Sequence, residues 1–212
     1  MVTMLDVAET HPACTVLGPG SRYVVWVQGC GIGCRECVSP QWIPVDHRRA
    51  RDVAGLADEI AGRAADGLTI SGGEPFAQAE AVAELVAAVR ARRDLSVLSY
   101  TGYTLEHLRA HGSPAQHRLL AGLDLLVDGP YLAHRQAALR WRGSANQRLH
   151  FLTDRHAELR GEPDRSAGLQ IEVAADETVR WLGVPAVGGF RQWIEDRLGL
   201  VPSDTIEQEQ NR

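Results

Sequence analysis

Three of the four cysteines in this 212-residue chain, Cys30, Cys34 and Cys37, lie within eight residues of one another. Their C-x3-C-x2-C spacing allows three thiolates to face one metal centre, and three glycines in the same stretch let the backbone fold tightly around it. Clustered cysteines in a reducing compartment indicate metal or redox chemistry before structural disulfides. The cluster supplies three ligands and no evident fourth.

Two kinds of metal centre are compatible with this spacing. A structural zinc site is normally closed by four protein ligands, and His47 or Cys14 would then supply the fourth in a non-catalytic zinc-binding protein. A four-iron, four-sulfur cluster held by three cysteines instead leaves one iron open for a substrate. A free-thiol or disulfide function is less favoured, because the segment lacks a simple C-x2-C pair beside a helix.

A second candidate site is the segment Ser71-Gly72-Gly73-Glu74-Pro75, which follows the short apolar strand 68–70 and precedes a helix. Taken alone, it is equally a strand-to-helix turn with Glu74 at a helix start, where the helix dipole favours an acidic residue. Paired with the cysteine loop at the end of the preceding strand, it favours a cofactor site.

The elements that must position these residues alternate between strand and helix. We predict strands at 22–28, 68–70, 95–100 and 123–127. The first predicted helix covers 52–65 and stops at Gly67. The second carries Val82, Leu85, Val86 and Val89 on one face. A third runs from Thr104 to Gly112, and a fourth begins at Ser113-Pro114. Repeated βα units predict a parallel sheet wound into a barrel or a doubly wound sheet, with its functional loops after the strands.

The chain after residue 155 carries weaker signals. Strands at 169–173 and 179–181 around a polar turn at 175–178 predict a hairpin, and 190–198 predicts a last amphipathic helix. The tail from Ser203 is polar and expected to fray. We therefore predict a core domain at 1–155 and an extension of the same domain at 156–212.

Composition and charge exclude several classes of protein. The formal net charge of -5 and the absence of a basic stripe disfavour nucleic acid as a partner. The longest apolar runs are too short to span a membrane, and the first ten residues lack a secretion signal. The expected location is the cytoplasm.

Motifs beyond the cysteines extend this interpretation. They stand in order between about residues 15 and 150: Gly18-Pro19-Gly20-Ser21-Arg22, the cysteine motif followed by Ser39-Pro40-Gln41-Trp42, the Gly-Gly-Glu-Pro turn, Tyr100-Thr101-Gly102-Tyr103-Thr104, Asp128-Gly129-Pro130-Tyr131 and Gly143-Ser144-Ala145-Asn146-Gln147-Arg148. This series resembles radical S-adenosylmethionine (SAM) enzymes, in particular the activating proteins of anaerobic (class III) ribonucleotide reductase.

The resemblance implies an α/β fold, a partial (β/α)6-type radical SAM barrel with a small C-terminal hairpin-helix extension. It implies a [4Fe-4S] cluster on Cys30, Cys34 and Cys37, whose open iron chelates SAM so that one electron splits it into methionine and a 5'-deoxyadenosyl radical. Gly72 and Gly73 would let the backbone approach the methionine end, and Glu74 would receive its ammonium group. The further cofactor-binding residues would be Thr101, Asp128, Asn146 and Arg148.

The same resemblance implies partners. The radical would remove a hydrogen from a glycine in a separate glycyl-radical enzyme, and a low-potential donor such as a flavodoxin would supply the electron. Because the motifs serve the cofactor and not the substrate, a peptide or small metabolite in natural-product or cofactor biosynthesis is an alternative target.

One position departs from the pattern. Many members of the superfamily carry an aromatic residue just before the third cysteine, where this chain has Glu36 after Arg35. Stacking of adenine on that position is therefore not expected, and we predict an exposed charged pair that faces an electron donor or a protein partner.

Overall fold

A computed structural model describes residues 2–173, 175 and 179–198. Its strands are β1 (Met4–Cys14), β2 (Arg22–Val27), β3 (Ala50–Asp52), β4 (Gly67–Gly72), β5 (Ser96–Tyr100), β6 (Leu125–Asp128), β7 (Gln136–Leu139), β8 (Arg142–Ser144), β9 (Arg148–Phe151), β10 (Leu169–Val173) and β11 (Val179–Gly183). Its α-helices are α1 (Val53–Ala61), α2 (Ala79–Arg92), α3 (Leu105–His111), α4 (Pro114–Ala121) and α5 (Phe190–Leu198). Short 3-10 helices cover Pro40–Trp42, Pro75–Gln78, Ala133–Arg135 and Ala157–Gly161.

Seven strands form one mixed sheet in the order β3-β1-β2-β4-β5-β6-β9. The central four, β2, β4, β5 and β6, are parallel, which confirms the predicted α/β class with a parallel-strand sheet. The flanking β1, β3 and β9 run antiparallel to their neighbours and were not predicted. The described part thus contains four parallel strands, whereas a (β/α)6 barrel has six.

The helices between the parallel strands cover one face of the sheet. Strand residues Tyr23, Val25, Leu68, Ile70, Val97 and Leu126 pack there against helix residues Leu56, Ile60, Val82, Leu85, Val89 and Leu108, all buried. Every residue of β2 is buried, as in a central parallel strand covered on both sides. This packing holds the carboxyl ends of the strands, and the loops that follow them, in fixed positions.

Part of the opposite face of the sheet is covered by the extension. The predicted hairpin is present as β10 and β11, and Leu182 of β11 packs against Val24 and Trp26 of β2. The predicted last helix is α5. Residues 176–178 of the predicted turn and the predicted frayed tail from Ser203 lie outside the described residues.

The predicted end of the first helix was wrong. Asp52 caps α1 as expected, by accepting hydrogen bonds from the Ala54 and Gly55 amides, but the helix ends at Ala61 with Gly62 as its C-cap. Gly67 instead begins β4, where a Cβ would lie 1.8 Å from Nη1 of Arg22. Gly67 is therefore a glycine because it makes room for a buried guanidinium rather than because it stops a helix.

That guanidinium is fully buried at the start of β2. Arg22 donates to Thr69 Oγ1 at 3.0 Å, to the Leu68 carbonyl at 2.6 Å and to the Ser96 carbonyl at 3.1 Å. Burial lowers the pKa of Arg22 to about 10, which leaves it charged at neutral pH. Arg22 thus ties β2, β4 and β5 together at the ends of the strands away from the cysteine loop.

The caps of the next two helices are as predicted. Thr104 accepts a hydrogen bond from the His107 amide, and α3 ends before Gly112. Ser113 and Gln116 form a reciprocal capping box at the start of α4, with Pro114 in the first turn. No helix in the described part of the chain is long and apolar enough to span a membrane.

Candidate functional site

The cysteine loop leaves the carboxyl end of β2 and returns past Trp42. Its base is closed by two backbone hydrogen bonds, from the Gly29 amide to the Trp42 carbonyl at 2.9 Å and from Cys30 to Ile43 at 3.0 Å. Gly29 has φ +93° and Gly33 has φ +74°, conformations that other residues rarely adopt. The loop is therefore held at its base while the cysteines lie on its outward part.

The three thiols of the loop are partly exposed and close enough to affect one another. Burial raises the pKa of Cys30 and of Cys37, and the Cys34 sulfur adds to both effects. The Ser39 amide donates to Cys37 Sγ at 3.4 Å. Within residues 2–173, 175 and 179–198, no three His, Cys, Asp or Glu side chains converge as a metal site.

The two residues considered as a fourth ligand lie elsewhere. Cys14 is completely buried at the end of β1, in the small core that contains Val24 and Trp26. His47 Nδ1 lies 2.6 Å from Asp6 Oδ2. The loop thus offers three thiols, while Cys14 and His47 are engaged elsewhere, and three is the number of protein ligands that a cluster with one open iron takes.

The Gly72-Gly73 turn lies directly against the base of the cysteine loop. The Gly73 amide donates to the Val27 carbonyl at 2.7 Å, and the Glu74 amide donates to the Gly29 carbonyl at 2.9 Å. A Cβ at Gly73 would lie 2.2 Å from the Gly29 oxygen, and one at Gly72 2.4 Å from the Val27 nitrogen. The structure therefore brings the two predicted motifs together through contacts that only glycine permits.

The carboxylate of Glu74 is buried between two turns. Oε1 accepts from the Phe76 amide at 2.9 Å and from Thr101 Oγ1 at 2.8 Å, and Oε2 accepts from the Gly102 amide at 2.8 Å. Burial raises the pKa of Glu74, while these three donors act in the opposite direction. Glu74 and Thr101 thus connect the ends of β4 and β5, and the ammonium-binding role of Glu74 stays a prediction.

We expect Glu74→Gln to lower the free energy of unfolding by about 1 to 3 kcal/mol, because an amide NH2 would face a buried donor. Urea denaturation at pH 7 measures the change. Glu80→Gln is the matched control, since Glu80 pairs with Arg118 on the surface and its loss should cost less than about 1 kcal/mol. Equal urea midpoints for Glu74→Gln and the wild type would contradict the assigned hydrogen bonds.

Asp128, the last residue of β6, forms an ion pair with Arg148, the first residue of β9. Asp128 Oδ2 accepts from the Leu105 amide at 2.7 Å and from Arg148 Nη2 at 2.5 Å, and Arg148 also binds Glu106. His150 Nε2 lies 3.0 Å from the same Oδ2. Burial raises the pKa of Asp128, but the hydrogen bonds from Arg148 and Leu105 outweigh it and hold the pKa below its usual range.

The lowered pKa gives a prediction about pH. Asp128 contributes stability above its unfolded pKa of about 3.9 and loses it as the pH falls through the lower folded value. We expect Asp128→Asn to cost about 1 to 3 kcal/mol at pH 7 and progressively less below pH 4. Asp94→Asn, at an exposed carboxylate paired with Arg155, is the control. If the difference in unfolding free energy between Asp128→Asn and the wild type is the same at pH 7 and pH 3, this ionised pair is excluded.

The segment before Arg148 is tied to the end of β6. Gln147 Oε1 accepts from the Gly143 amide at 2.9 Å, and Gln147 Nε2 donates to the Gly129 carbonyl at 3.1 Å. Asn146 Nδ2 donates to the Pro130 carbonyl at 2.7 Å, whereas its Oδ1 has no partner in the described part. Sequence analysis did not select Gln147 as a site residue. The available signal was its position inside the Gly143–Arg148 motif, between Asn146 and Arg148.

A cavity of about 1010 Å3 opens on the face of the sheet away from the helices. Cys37, Gly72, Trp26, Trp42, Tyr100 and Trp181 are among its lining residues. The rings of Trp26 and Trp42 lie 5.6 Å apart, centroid to centroid. None of these aromatic residues was predicted as part of the site, because their common face appears only when the sheet and the hairpin are assembled.

Arg35 and Glu36 are exposed on the outer part of the cysteine loop. Their exposure agrees with the predicted charged pair at the position where an aromatic residue is common. The role of this pair toward a donor or partner stays a prediction.

The cysteine loop and the glycine turn lie together at the carboxyl ends of parallel strands, and residues 16–150 match the family described as a 4Fe-4S single cluster domain. The chain is 36% identical to an anaerobic ribonucleoside-triphosphate reductase-activating protein of Vibrio cholerae, over 68% of this chain and 97% of that protein. Proteins of the same name from bacteriophage T4 and Escherichia coli K12 are 32% and 31% identical, over 68% of this chain and 92% and 97% of theirs. The solved structure of QueE from Escherichia coli overlaps 48% of this chain and 54% of its own, at 19% identity and a TM-score of 0.42.

The chain belongs to the family of anaerobic ribonucleoside-triphosphate reductase-activating proteins. The family match assigns this chain a [4Fe-4S] cluster.

Proposed function

We propose that this chain generates a glycyl radical on a separate anaerobic ribonucleotide reductase, the protein that its curated relatives are named for activating. The observation that carries the proposal is the contact of the Gly72-Gly73 turn with Gly29, which joins the cysteine loop proposed to hold the cluster to the turn proposed to bind the methionine end of SAM. When bound, the reduced cluster and SAM supply a 5'-deoxyadenosyl radical that abstracts a hydrogen atom from glycine.

The residues of the chain divide this task. Cys30, Cys34 and Cys37 are proposed to hold the cluster, and the N–H group of Ser39 tunes it by donating to Cys37. Gly72 and Gly73 are proposed to let the backbone approach the methionine end of SAM. Hydrogen bonds to the sulfurs and solvent exposure both set the reduction potential of a four-iron cluster.

The other predicted cofactor residues differ in whether they retain a hydrogen-bonding position that no protein group occupies. Asn146 keeps an unpartnered Oδ1, so we assign it to the nucleoside. Glu74 retains one unused acceptor position on Oε2 for the ammonium group. Thr101, Asp128 and Arg148 are proposed to hold the ends of β4, β5 and β6 around the cofactor, since their polar atoms already bind protein groups.

The seven-stranded sheet is proposed to be a shortened radical SAM barrel, with β1 and β9 in place of further parallel strands. The thiols indicate a reducing compartment, and we place the activity in the cytoplasm with a flavodoxin-like electron donor.

The test is anaerobic reconstitution of the full chain with iron and sulfide, followed by reduction in the presence of SAM and the unactivated reductase of the same genome. We expect 5'-deoxyadenosine and, in the reductase, a persistent glycine-centred signal in electron paramagnetic resonance. Formation of 5'-deoxyadenosine with a small modified product and no signal in any glycyl-radical protein would refute the activase function and favour a metabolite or peptide substrate.

A further inference from the structure

Helix α3 carries two exposed histidines on its outer surface, one turn apart. His107 and His111 are separated by four positions, a spacing that places both side chains on the same face of a helix. The opposite face of α3 packs into the core, where Leu105 and Leu108 are buried. The two imidazoles therefore face solvent together, and neither lines the cavity described above.

The separation of the two rings suits a shared metal ion. Their centroids lie 5.3 Å apart, and their planes are inclined by 52°. A zinc ion binds an imidazole nitrogen at about 2.0 to 2.1 Å, which puts each ring centroid about 3.2 Å from the metal. Tetrahedral coordination then separates two ligand centroids by about 5.2 Å, whereas a right-angled arrangement gives about 4.5 Å. The observed separation matches the tetrahedral arrangement.

Both imidazoles are available to a ligand. In the part of the chain that the structure describes, neither ring makes a hydrogen bond or an ion pair, and both are limited to aromatic contacts. Most of the other histidines are engaged with protein groups: His11 with Glu172, His47 with Asp6, His117 with the Leu108 carbonyl, His150 with Asp128 and His156 with Glu158. The pair on α3 thus combines proximity with free nitrogens.

The first histidine of the pair is held in place before any metal arrives. Tyr103 stacks on the ring of His107, with centroids 5.5 Å apart and planes inclined by 9°. The start of the helix is fixed as well, because the Leu105 amide donates to Asp128 Oδ2 at 2.7 Å. A ligand that is already oriented loses less freedom on binding, which favours capture of an ion.

We propose that His107 and His111 form a binding site for a zinc ion, with water in its remaining coordination positions. Two histidines at this helical spacing are a recurring pair of zinc ligands. Imidazole suits zinc, copper and nickel, and the tetrahedral separation of the rings favours zinc among them. The site is separate from the cysteine loop, and the proposal does not depend on the proposed function.

Zinc binding to the full-length, cluster-loaded protein tests this site. We expect anaerobic equilibrium dialysis against Zn²⁺ to give one zinc per chain, measured beside iron by elemental analysis. His107→Ala and His111→Ala should each raise the Kd for Zn²⁺ at least about tenfold, since loss of even an outer-shell partner costs that much. The matched control is His134→Ala, at an exposed histidine outside α3, which should bind zinc as the wild type does.

Acylation of histidines by diethyl pyrocarbonate, followed by mass spectrometry, locates the zinc independently of the thiols. We expect Zn²⁺ to protect His107 and His111 and to leave the modification of His134 unchanged. All three side chains are exposed, so each alanine variant should keep its Tm, and thermal unfolding checks this.

Each outcome decides the proposal. One zinc per chain, weakened by both α3 substitutions and protecting both rings, supports it. Absence of bound zinc, or bound zinc that leaves both rings open to acylation, overturns it. Undiminished zinc binding by both α3 variants would place the metal elsewhere, such as on the cysteine loop, and would overturn it equally.

Discussion

Exchange of Cys34 for alanine is expected to eliminate the iron–sulfur cluster and, with it, reductive cleavage of SAM. Cys34 is the middle of the three thiols, and its removal leaves Cys30 and Cys37 as the remaining thiols of the loop. Loss of a mere outer-shell partner costs 10 to 100-fold, so loss of a direct ligand should lower 5'-deoxyadenosine formation by more than about 100-fold.

The matched control is Cys14→Ala, which removes the remaining cysteine of the chain. Cys14 is buried on β1, and burial raises the pKa of its thiol. We expect the Cys14 variant to lose about 1 kcal/mol of stability and to keep its iron and sulfide. Iron analysis and the visible spectrum measure both variants. Retention of the cluster in Cys34→Ala, or its loss in Cys14→Ala, would show that the proposed ligand assignment is wrong.

The second large effect is expected from Gly73→Ala. The added Cβ would lie 2.2 Å from the carbonyl oxygen and 2.7 Å from the carbonyl carbon of Gly29, both backbone atoms. Because Gly29 is itself fixed by its hydrogen bond to Trp42, the clash separates the turn from the loop. Overpacking costs about 1 to 3 kcal/mol, so we expect a loss near 3 kcal/mol and a Tm lower by roughly 6 to 12 °C.

Gly31→Ala provides the comparison within the same loop, because a Cβ at Gly31 meets no atom within 4 Å. This variant should retain its Tm and its cluster. Unfolding is followed by circular dichroism on the cluster-free protein, and iron content is measured after reconstitution. If Gly73→Ala and Gly31→Ala behave alike in both measurements, the contact between the two motifs is not what assembles the site.

Much of the parallel sheet was predictable from the sequence because its strands are short apolar runs between turns. Residues 22–28 and 68–70 carry branched and aromatic side chains next to glycines, and each reflects a strand buried on both faces. The caps at Thr104 and Ser113 were equally visible, since hydroxyl capping depends on local sequence alone.

The antiparallel strands escaped prediction for the opposite reason. β1 carries Asp6, Glu9, His11 and Pro12, so no apolar alternation marks it. Its pairing depends on β2 and on contacts with Gln78 and Gln170, which are distant in the sequence. β3 has three residues, too few for a periodic pattern.

The site was predictable in its chemistry and not in its arrangement. The spacing of Cys30, Cys34 and Cys37 and the glycines at 72 and 73 are properties of the sequence itself. The three donors around Glu74 and the pairing of Asp128 with Arg148 are tertiary contacts, so the sequence did not reveal that these residues also connect neighbouring strands. The aromatic cavity needed the hairpin to be in place.

The fit between Arg22 and Gly67 restricts how this protein can change over generations. A Cβ at position 67 would lie 1.8 Å from Nη1 of Arg22. A shorter residue at position 22 would leave the carbonyls of Leu68 and Ser96 without their hydrogen bonds from Arg22. Either substitution alone is expected to destabilise the packing at the start of β2 and β4, so the two positions are epistatic. Descendants that keep Arg22 are expected to keep Gly67. A homologue with a larger residue at position 67 should also carry other changes around the starts of β2 and β4.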